Sequence, residues 1–156
     1  MIFVTIGATK PFNRLVSSMN DIAVEVDQKV IIQVGESSIK PTNAEWFEFC
    51  SPEEHSSYIS DADLVVSHAG TGTILKAIQV ESKIVLFPRL SEKNEARNNH
   101  QVEQSRTWND LLDLPVAFDK DDLRSFVMNP SDLPDTSRGN SNKIVEEMQK
   151  QLESIL

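Results

Sequence analysis

An α/β fold with a doubly wound parallel sheet is predicted by two observations on this 156-residue chain. Short apolar runs rich in β-branched residues alternate with amphipathic segments of helical periodicity, and this alternation is typical of parallel strands joined by helical crossovers. The runs are apolar at almost every position, as expected for parallel strands that are buried on both faces. The length suits one domain with a single substantial core.

The elements of the first half follow from local patterns. Residues 2–6 form a β-branched run that stops at Gly7, which predicts a strand and a turn. Pro11 suits the first position of a helix, and apolar residues at spacings of three and four predict that this helix continues to about residue 26. The other predicted elements are a strand at 30–34, a polar loop at 36–45, a short strand at 46–49 and a helix from residue 51 or 52 to about 60.

The second half continues the alternation. The predicted elements are a strand at 63–67, a helix at 71–80, a strand at 83–87, a polar run at 89–98, a helix at about 99–110, a short strand at 116–118 and a short helix at 121–128. We therefore predict one domain at 1–128, and a linker at 129–140 because that segment is rich in Pro, Ser and Asp. Residues 141–156 are predicted to form a C-terminal amphipathic helix that either packs on its own sheet or binds a partner. Its apolar stripe is Ile144, Val145, Met148, Leu152 and Ile155.

Composition argues against several classes of function. The net charge of −9, from 24 acidic and 15 basic residues, argues against nucleic acid as a partner, because neutralising phosphates needs clustered Lys and Arg. Cys50 is the only cysteine, so neither an intrachain disulfide nor a cysteine zinc site is expected. The apolar start is too short for a signal peptide or a membrane span. We expect a cytoplasmic chain whose membrane contact, if any, is made through a partner.

The turn at 67–73 is the strongest candidate for a ligand site. It joins a predicted buried strand to a helix and contains Gly70, Thr71, Gly72 and Thr73. The free backbone N–H groups and the dipole at a helix start attract anions, and glycine lets a ligand approach the backbone closely. We expect a diphosphate here, and an ordinary glycine-rich turn is the alternative.

Three further turns are expected at the same sheet edge, because ligands of doubly wound sheets bind at the carboxyl ends of the strands. The turn at 7–11 is neither the dinucleotide fingerprint nor a Walker loop, and an ordinary tight turn is its alternative. All four turns are predicted to line one cleft. The three further turns are Gly7, Ala8 and Thr9 after the first strand, Phe49 and Cys50 after the third, and residues 89–101 after the fifth.

His68, inside the glycine-rich turn, has several possible roles. A Ser-His-Asp hydrolase is disfavoured because the sequence has no G-x-S-x-G and because Ser67 and His68, as strand neighbours, point to opposite faces. Metal binding is disfavoured because His55, His68 and His100 are not paired at i+3 or i+4 spacing. We expect His68 to shape the turn or to contact phosphate, and a catalytic role as general base is the minor alternative.

Uncharged polar side chains cluster at the start of the predicted helix at 99–110. Asn99 is expected to cap this helix, with His100 and Gln101 in its first turn. Such side chains both donate and accept hydrogen bonds, which suits sugar hydroxyls, and a plain helix cap is the alternative. The preceding cations are expected to form a solvated basic loop rather than a site for an acidic sugar; they are Arg89, Lys93 and Arg97.

These residues together resemble the C-terminal, donor-binding half of the family 28 glycosyltransferases. The resemblance covers residues 1 to about 110. It is closest to the catalytic subunits of split enzymes, namely a eukaryotic dolichol-pathway N-acetylglucosaminyltransferase subunit and bacterial counterparts in capsule and exopolysaccharide synthesis. The matching sequences are FVTIGAT at 3–9, PFNRL at 11–15, IQVG at 32–35, DADLVVSHAGTGT at 61–73 and NHQ at 99–101.

The resemblance implies a Rossmann-like half of a GT-B glycosyltransferase. It implies inverting transfer of a hexose-type sugar from a UDP-sugar to a lipid-linked sugar acceptor. A membrane-anchored partner subunit would hold that acceptor and supply the catalytic base, so that the chain works as part of a heterodimer at the cytoplasmic face of the membrane. No cofactor and no metal are implied. By the resemblance, the turns at 7–9 and 70–73 approach the diphosphate, Phe49 and Cys50 meet the uracil, and His100 and Gln101 meet the donor sugar.

Lys76 departs from the family pattern. Relatives carry Glu at this position, where it binds the ribose hydroxyls, whereas Lys76 is expected to reach over Gly72 and Thr73 and to pair with phosphate. A solvated lysine is the alternative. The departure favours a second hypothesis, a non-catalytic regulatory or scaffold subunit with a degenerate nucleotide pocket. A flavodoxin-like nucleotide module is a third.

Overall fold

A computed structural model describes residues 1–8, 10–136, 144, 146–147, 149–150 and 153 of the chain. The described part contains a five-stranded sheet and five α-helices. The strands are β1 (Ile2–Thr5), β2 (Val30–Gln33), β3 (Glu45–Phe47), β4 (Leu64–Ser67) and β5 (Ile84–Leu86). The helices are α1 (Asn13–Ala23), α2 (Pro52–Asp61), α3 (Thr71–Gln79), α4 (His100–Leu112) and α5 (Lys120–Met128).

The sheet is parallel throughout, with the strand order β3-β2-β1-β4-β5. Phe3 of β1 aligns with Ile31 of β2 on one side and with Val65 of β4 on the other. The chain builds outwards from β1 through β2 and β3 and then returns to place β4 on the opposite side of β1. Such a reversal leaves a crevice at the carboxyl ends of β1 and β4, the two strands between which the direction changes. The predicted doubly wound, Rossmann-like sheet is confirmed.

Helices cover both faces of the sheet, because successive side chains of each strand point to opposite sides. Val4 and Val66 belong to the apolar cluster that includes α1 and α5. Phe3 and Val65 belong to the other cluster, which includes α2, α3 and α4. All four of these side chains are fully buried, and this double burial explains why the strands are apolar at nearly every position.

Several element boundaries differ from the sequence prediction. Helix α1 begins at Asn13 rather than at Pro11, because Phe12 has an extended φ of −142° and is buried in the core. The predicted strand at 116–118 is wrong, since only Val116 forms a parallel bridge, with Leu86. A short 3₁₀ turn, Ser91–Lys93, lies inside the polar run that precedes α4.

Part of the predicted linker at 129–140 packs on the domain. Pro130–Asp132 forms a 3₁₀ turn, Leu133 joins the α1 and α5 cluster, and Thr136 is buried. The structure describes only some residues of the predicted helix at 141–156. Among them, Ile144 is helical and contacts the apolar cluster that contains Phe3 and Val65. The division into domain, linker and terminal helix therefore stays a prediction. The rest of the predicted apolar stripe lies outside the described residues: Val145, Met148, Leu152 and Ile155.

Candidate functional site

A cleft of about 400 Å³ opens at the carboxyl ends of the central strands. It is formed by the segment after β1, the turn before α2, the first residues of α2 and the first turns of α3. Three segments that are distant in sequence therefore meet at the switch point of the sheet. The cleft is lined by Gly7, Ala8, Gln33, Phe49, Cys50, Ser51, Pro52, His55, Ser56, Gly72, Thr73 and Lys76.

The two helices that begin at this cleft differ at their N-termini. Helix α2 has a complete capping box, in which the Ser51 hydroxyl accepts from the Glu54 backbone and the Glu54 carboxylate accepts from the Ser51 backbone. Helix α3 begins after Gly70 and has no side-chain cap. Because the first N–H groups of a helix have no intrahelical partner, α3 offers free donors and its positive dipole end beside Gly72 and Thr73.

Lys76 is the only charged side chain among the described residues that line the cleft. It lies on α3, is partly buried, and has no ion-pair partner among the residues that the structure describes. No carboxylate belongs to the described lining, although the whole chain carries 24 acidic residues. Charge and dipole therefore both favour an anionic ligand in this cleft.

A hydrogen-bonded network supports the floor of the cleft. The Gln33 amide nitrogen donates to the Gly7 carbonyl at 3.3 Å, so its side-chain oxygen accepts from the Thr5 hydroxyl at 2.5 Å. The Thr5 hydroxyl has one proton, which it donates to Gln33. His55 Nε2 lies 3.0 Å from the same hydroxyl and therefore has to be the donor of the hydrogen bond between them. This leaves His55 Nδ1 as an acceptor, and burial lowers the pKa of His55, which favours the neutral ring.

His68 lies directly against Gly7, which lines the cleft, and Gly70, which lies behind its wall. A Cβ added to Gly7 would be 2.5 Å from His68 Nε2, and one added to Gly70 would be 2.3 Å from His68 Cε1. Burial, with smaller electrostatic effects of Arg89 and His55, lowers the pKa of His68 to about 3. The imidazole is therefore neutral at physiological pH.

A sequence comparison matches residues 1–111 to the glycosyltransferase family 28 C-terminal domain. The chain belongs to this family. The predicted resemblance to family 28 is thereby confirmed, whereas the relation to split two-component enzymes stays a prediction. A search among curated proteins finds none that matches the chain.

Solved structures of low sequence identity share the fold of this family 28 domain. An NMR solution structure of ALG13 is 18% identical, with a TM-score of 0.63 over 94% of this chain and 94% of that chain. MurG of Acinetobacter baumannii is 15% identical, with a TM-score of 0.59 over 83% of this chain and 41% of that chain. The spinosyn forosaminyltransferase SpnP is 17% identical, with a TM-score of 0.60 over 95% of this chain and 39% of that chain. This chain thus spans about two fifths of MurG and SpnP.

Half of the predicted site residues of this family 28 domain, seven of fourteen, line the cleft. Gly70 and His68 lie behind its wall, Thr71 begins α3 without lining the cleft, and Thr9 lies outside the described residues. Phe49 is 52% exposed, which leaves its ring open to a ligand. The predicted residues that line the cleft are Gly7, Ala8, Phe49, Cys50, Gly72, Thr73 and Lys76.

The predicted fourth turn does not line this cleft. Asn99 precedes α4, but its side chain does not cap the helix and instead accepts hydrogen bonds from the Ser91 backbone and hydroxyl. His100 is exposed and lies outside the cleft lining. Gln101 contacts His68 from behind, with its amide nitrogen 3.3 Å from Nδ1. The prediction that the Asn99 side chain caps α4 is therefore wrong, because its oxygen accepts hydrogen bonds from the preceding 3₁₀ turn.

Two residues near the cleft have roles that the sequence analysis missed. Gln33 was detectable, since it is a polar residue inside an apolar strand. Arg89 is 4% exposed, so the expectation that it is solvated is wrong, although Lys93 and Arg97 are indeed exposed. The Arg89 guanidinium donates to the carbonyls of residues 6 and 10, at 3.0 and 2.8 Å, and thereby spans the loop that follows β1.

No group of three His, Cys, Asp or Glu side chains suited to a metal ion occurs among the described residues. Burial, followed by the charge of Glu54, raises the pKa of the Cys50 thiol, which favours its protonated form. Within the same described part, no helix is long and apolar enough to cross a membrane.

Acidification is expected to destabilise the fold through His68. Its pKa is about 3 in the folded state against 6.5 in its ordinary state, so the folded state binds fewer protons, and stability that is present above pH 6.5 is lost as the pH falls towards 3. When the pH is lowered from 7.5 to 5, we expect protonation of this group to reduce the free energy of unfolding by about 2 kcal/mol. Urea denaturation at both pH values measures the loss. A His68→Gln variant should lose clearly less over the same interval, and equal losses would contradict the assignment.

Proposed function

We propose that this chain is the donor-binding catalytic subunit of an inverting UDP-sugar glycosyltransferase. It transfers a hexose-type sugar to a lipid-linked acceptor in polysaccharide or glycolipid synthesis. A membrane-anchored partner subunit holds that acceptor and brings the chain to the cytoplasmic face of the membrane. The observation that carries the proposal is the uncapped start of α3, which faces a carboxylate-free cleft beside Lys76.

The diphosphate is proposed to bind between the segment after β1 and the start of α3. The free N–H groups near Gly72 and Thr73 offer hydrogen bonds to its oxygens, and the Lys76 ammonium offers a charge. The uracil is proposed to lie against other lining residues of the cleft, where Phe49 exposes its ring and His55 offers Nδ1 as an acceptor. The same cleft thereby offers an aromatic ring to the uracil and a cation to the phosphates.

These groups act on the leaving group of the transfer. The acceptor hydroxyl attacks the anomeric carbon, the bond from that carbon to the diphosphate oxygen breaks, and UDP departs with the electron pair. Preorganised N–H groups and a helix N-terminus stabilise the charge that develops on the diphosphate. Since these donors and Lys76 supply the positive potential, the proposed reaction needs no metal and no cofactor.

The base that removes the proton from the acceptor hydroxyl is proposed to lie on the partner subunit. His68 is poorly suited to this role, because its Nδ1 faces the Gln101 amide nitrogen and its pKa is far below neutral. A base with such a low pKa has little driving force for proton abstraction at neutral pH. His68 is proposed instead to contact the phosphates through the gap that Gly7 and Gly70 leave.

A nucleotide titration tests the proposal. Adding UDP to the ¹⁵N-labelled chain should shift the amide signals of Gly7, Gly70 and Gly72, whereas ADP should not. The Gly72→Leu variant should bind UDP at least tenfold more weakly, because the added side chain would occupy the cleft. Its fold should be kept, since a side chain at this position projects into open space. Lys76→Met should weaken UDP binding about tenfold, which corresponds to one charge-assisted hydrogen bond. Lys120→Met is the matched control, since Lys120 is an exposed residue of α5 that pairs with Asp21.

Two results would contradict the proposal. If neither the chain nor its complex with a co-expressed partner binds UDP, the chain is a regulatory or scaffold subunit with a degenerate pocket. If Lys76→Met binds UDP as tightly as the natural chain, Lys76 does not contact phosphate. A Lys76→Glu variant that binds UDP more tightly would show that this position faces the ribose hydroxyls.

A further inference from the structure

Gln101 lies behind the cleft, between the backbone of Arg89 and the imidazole ring of His68. Its side-chain oxygen accepts a hydrogen bond from the backbone N–H of Arg89 at 2.9 Å. Its amide nitrogen lies 3.3 Å from Nδ1 of His68. A backbone N–H can only donate, so this bond determines which end of the Gln101 amide faces His68. The amide nitrogen, which also can only donate, is directed at the imidazole.

This arrangement fixes the tautomer of His68. Because the Gln101 nitrogen donates, Nδ1 has to accept, and the neutral ring carries its hydrogen on Nε2. Nε2 has no hydrogen-bond partner among the described residues. It lies at the edge of the ring that faces Gly7 and Gly70, where a Cβ on either residue would be 2.5 Å away. The donor atom is therefore directed towards the cleft wall at the two positions that lack side chains.

We propose that Gln101 is a positioning residue that holds His68 as the Nε2–H tautomer, so that the imidazole donates a hydrogen bond to a phosphate oxygen of the ligand. The identity of that ligand rests on the proposed function, whereas the tautomer is a property of the protein alone. The opposite tautomer would direct a lone pair at the phosphate and would repel it. Each polar atom of Gln101 uses one hydrogen bond in this arrangement, and each keeps one further acceptor or donor site.

Arg89 fixes the other end of this arrangement. Its backbone N–H orients Gln101, and its buried guanidinium spans the loop after β1 by donating to the carbonyls of Ile6 and Lys10. One arginine thereby connects the loop that contains Gly7 to the amide that orients His68. The positive charge of Arg89 also lowers the pKa of His68, which favours the neutral form that the tautomer argument requires.

The ¹⁵N spectrum of the His68 ring in the ligand-free full chain tests the tautomer directly. In the natural chain we expect a protonated Nε2 and an unprotonated Nδ1. In the Gln101→Glu variant an acceptor oxygen faces Nδ1 while the bond from the Arg89 backbone is kept, so Nδ1 should become protonated. Gln101→Leu removes the donor and should give a mixture of tautomers. Gln79→Leu, on the exposed end of α3, should leave the ring signals unchanged.

UDP titration of the same variants tests the effect on the ligand. We expect Gln101→Glu to weaken UDP binding more than tenfold and Gln101→Leu to weaken it several-fold, with no change for Gln79→Leu. A protonated Nδ1 in the natural chain, or an unprotonated Nδ1 in Gln101→Glu, would overturn the positioning role. Unchanged UDP affinity in Gln101→Glu would overturn the contact with phosphate. If the natural chain shows the expected tautomer but does not bind UDP, the proposed function fails while the role of Gln101 in fixing the tautomer is supported.

Discussion

Gly70→Ala is expected to destabilise the protein by about 2 kcal/mol and to abolish nucleotide binding. The added methyl group would lie 2.3 Å from Cε1 and 2.5 Å from Nε2 of His68, so the imidazole has to leave its place. Overpacking of this kind costs about 1–3 kcal/mol. Backbone strain contributes nothing, since Gly70 has a φ of −82° and a ψ of 128° that alanine also adopts. Thermal or urea unfolding and a UDP titration measure the two effects.

A double-mutant cycle isolates the cause of the Gly70→Ala effect. In a His68→Ala background the same substitution should cost less than about 1 kcal/mol, because the clash is removed and only the poorer N-cap remains. Gly72→Ala is the matched control in the same turn. A Cβ at Gly72 has no atom within 4 Å, and alanine favours the helix, so this variant should be at least as stable as the natural chain. An undiminished cost in the His68→Ala background would show that the imidazole is not the obstacle.

Glu95→Ala is expected to destabilise the protein by about 3 kcal/mol. The Glu95 carboxylate accepts one bifurcated hydrogen bond from Arg14 Nε, at 2.8 and 3.1 Å from its two oxygens, another from Nη2 at 2.9 Å, and one from the Leu90 backbone at 3.0 Å. Both side chains are largely buried, at 18% and 11% exposure. Removing the carboxylate leaves the Arg14 Nε–H and the Leu90 N–H without their acceptor and the buried guanidinium without its counter-charge, although Arg14 still donates to the Pro88 and Phe118 carbonyls. Such a loss costs several kcal/mol in buried pairs. Urea denaturation measures the loss.

A second Arg–Glu pair of the same chain provides the control. Glu25 also accepts a bifurcated hydrogen bond from the Nε of an arginine, Arg124, but this pair is exposed at 41% and 49%. Solvent screens exposed pairs, so Glu25→Ala should change the unfolding midpoint far less than Glu95→Ala. Similar losses for the two variants would contradict the view that burial gives the Arg14–Glu95 pair its importance. Only Glu95→Ala should also disturb Gln101, because the loop after β5 carries both Leu90 and Arg89.

The local patterns that predicted the central strands are confirmed because those strands are buried on both faces. β1, β2, β4 and β5 are apolar runs that end near a glycine, a serine or a proline, and each lies within one or two residues of its predicted position. The weaker signals failed where tertiary contacts decide. Phe12 is buried and extended, which delays the start of α1, and the run at 116–118 is too short to form more than one bridge.

The candidate site shows the same division between local and distant information. Gly7, Gly70 and Gly72 were identified because strand-to-helix turns have a local signature, and the structure places all three at one crevice. The contacts of Arg89 and Gln101 were not predictable in this way. Arg89 resembles a solvated cation in sequence, and only the fold brings the carbonyls of Ile6 and Lys10 within reach of its guanidinium.

The sequence by itself determined the parallel α/β architecture, the family and three glycines of the candidate site. Those properties follow from periodicity and turn chemistry, which are encoded by residues close together in the chain. Only the tertiary structure shows which polar groups surround the rings of His55 and His68. These groups are brought together from afar, since Thr5 and His55 are 50 residues apart and Gln101 and His68 are 33 residues apart.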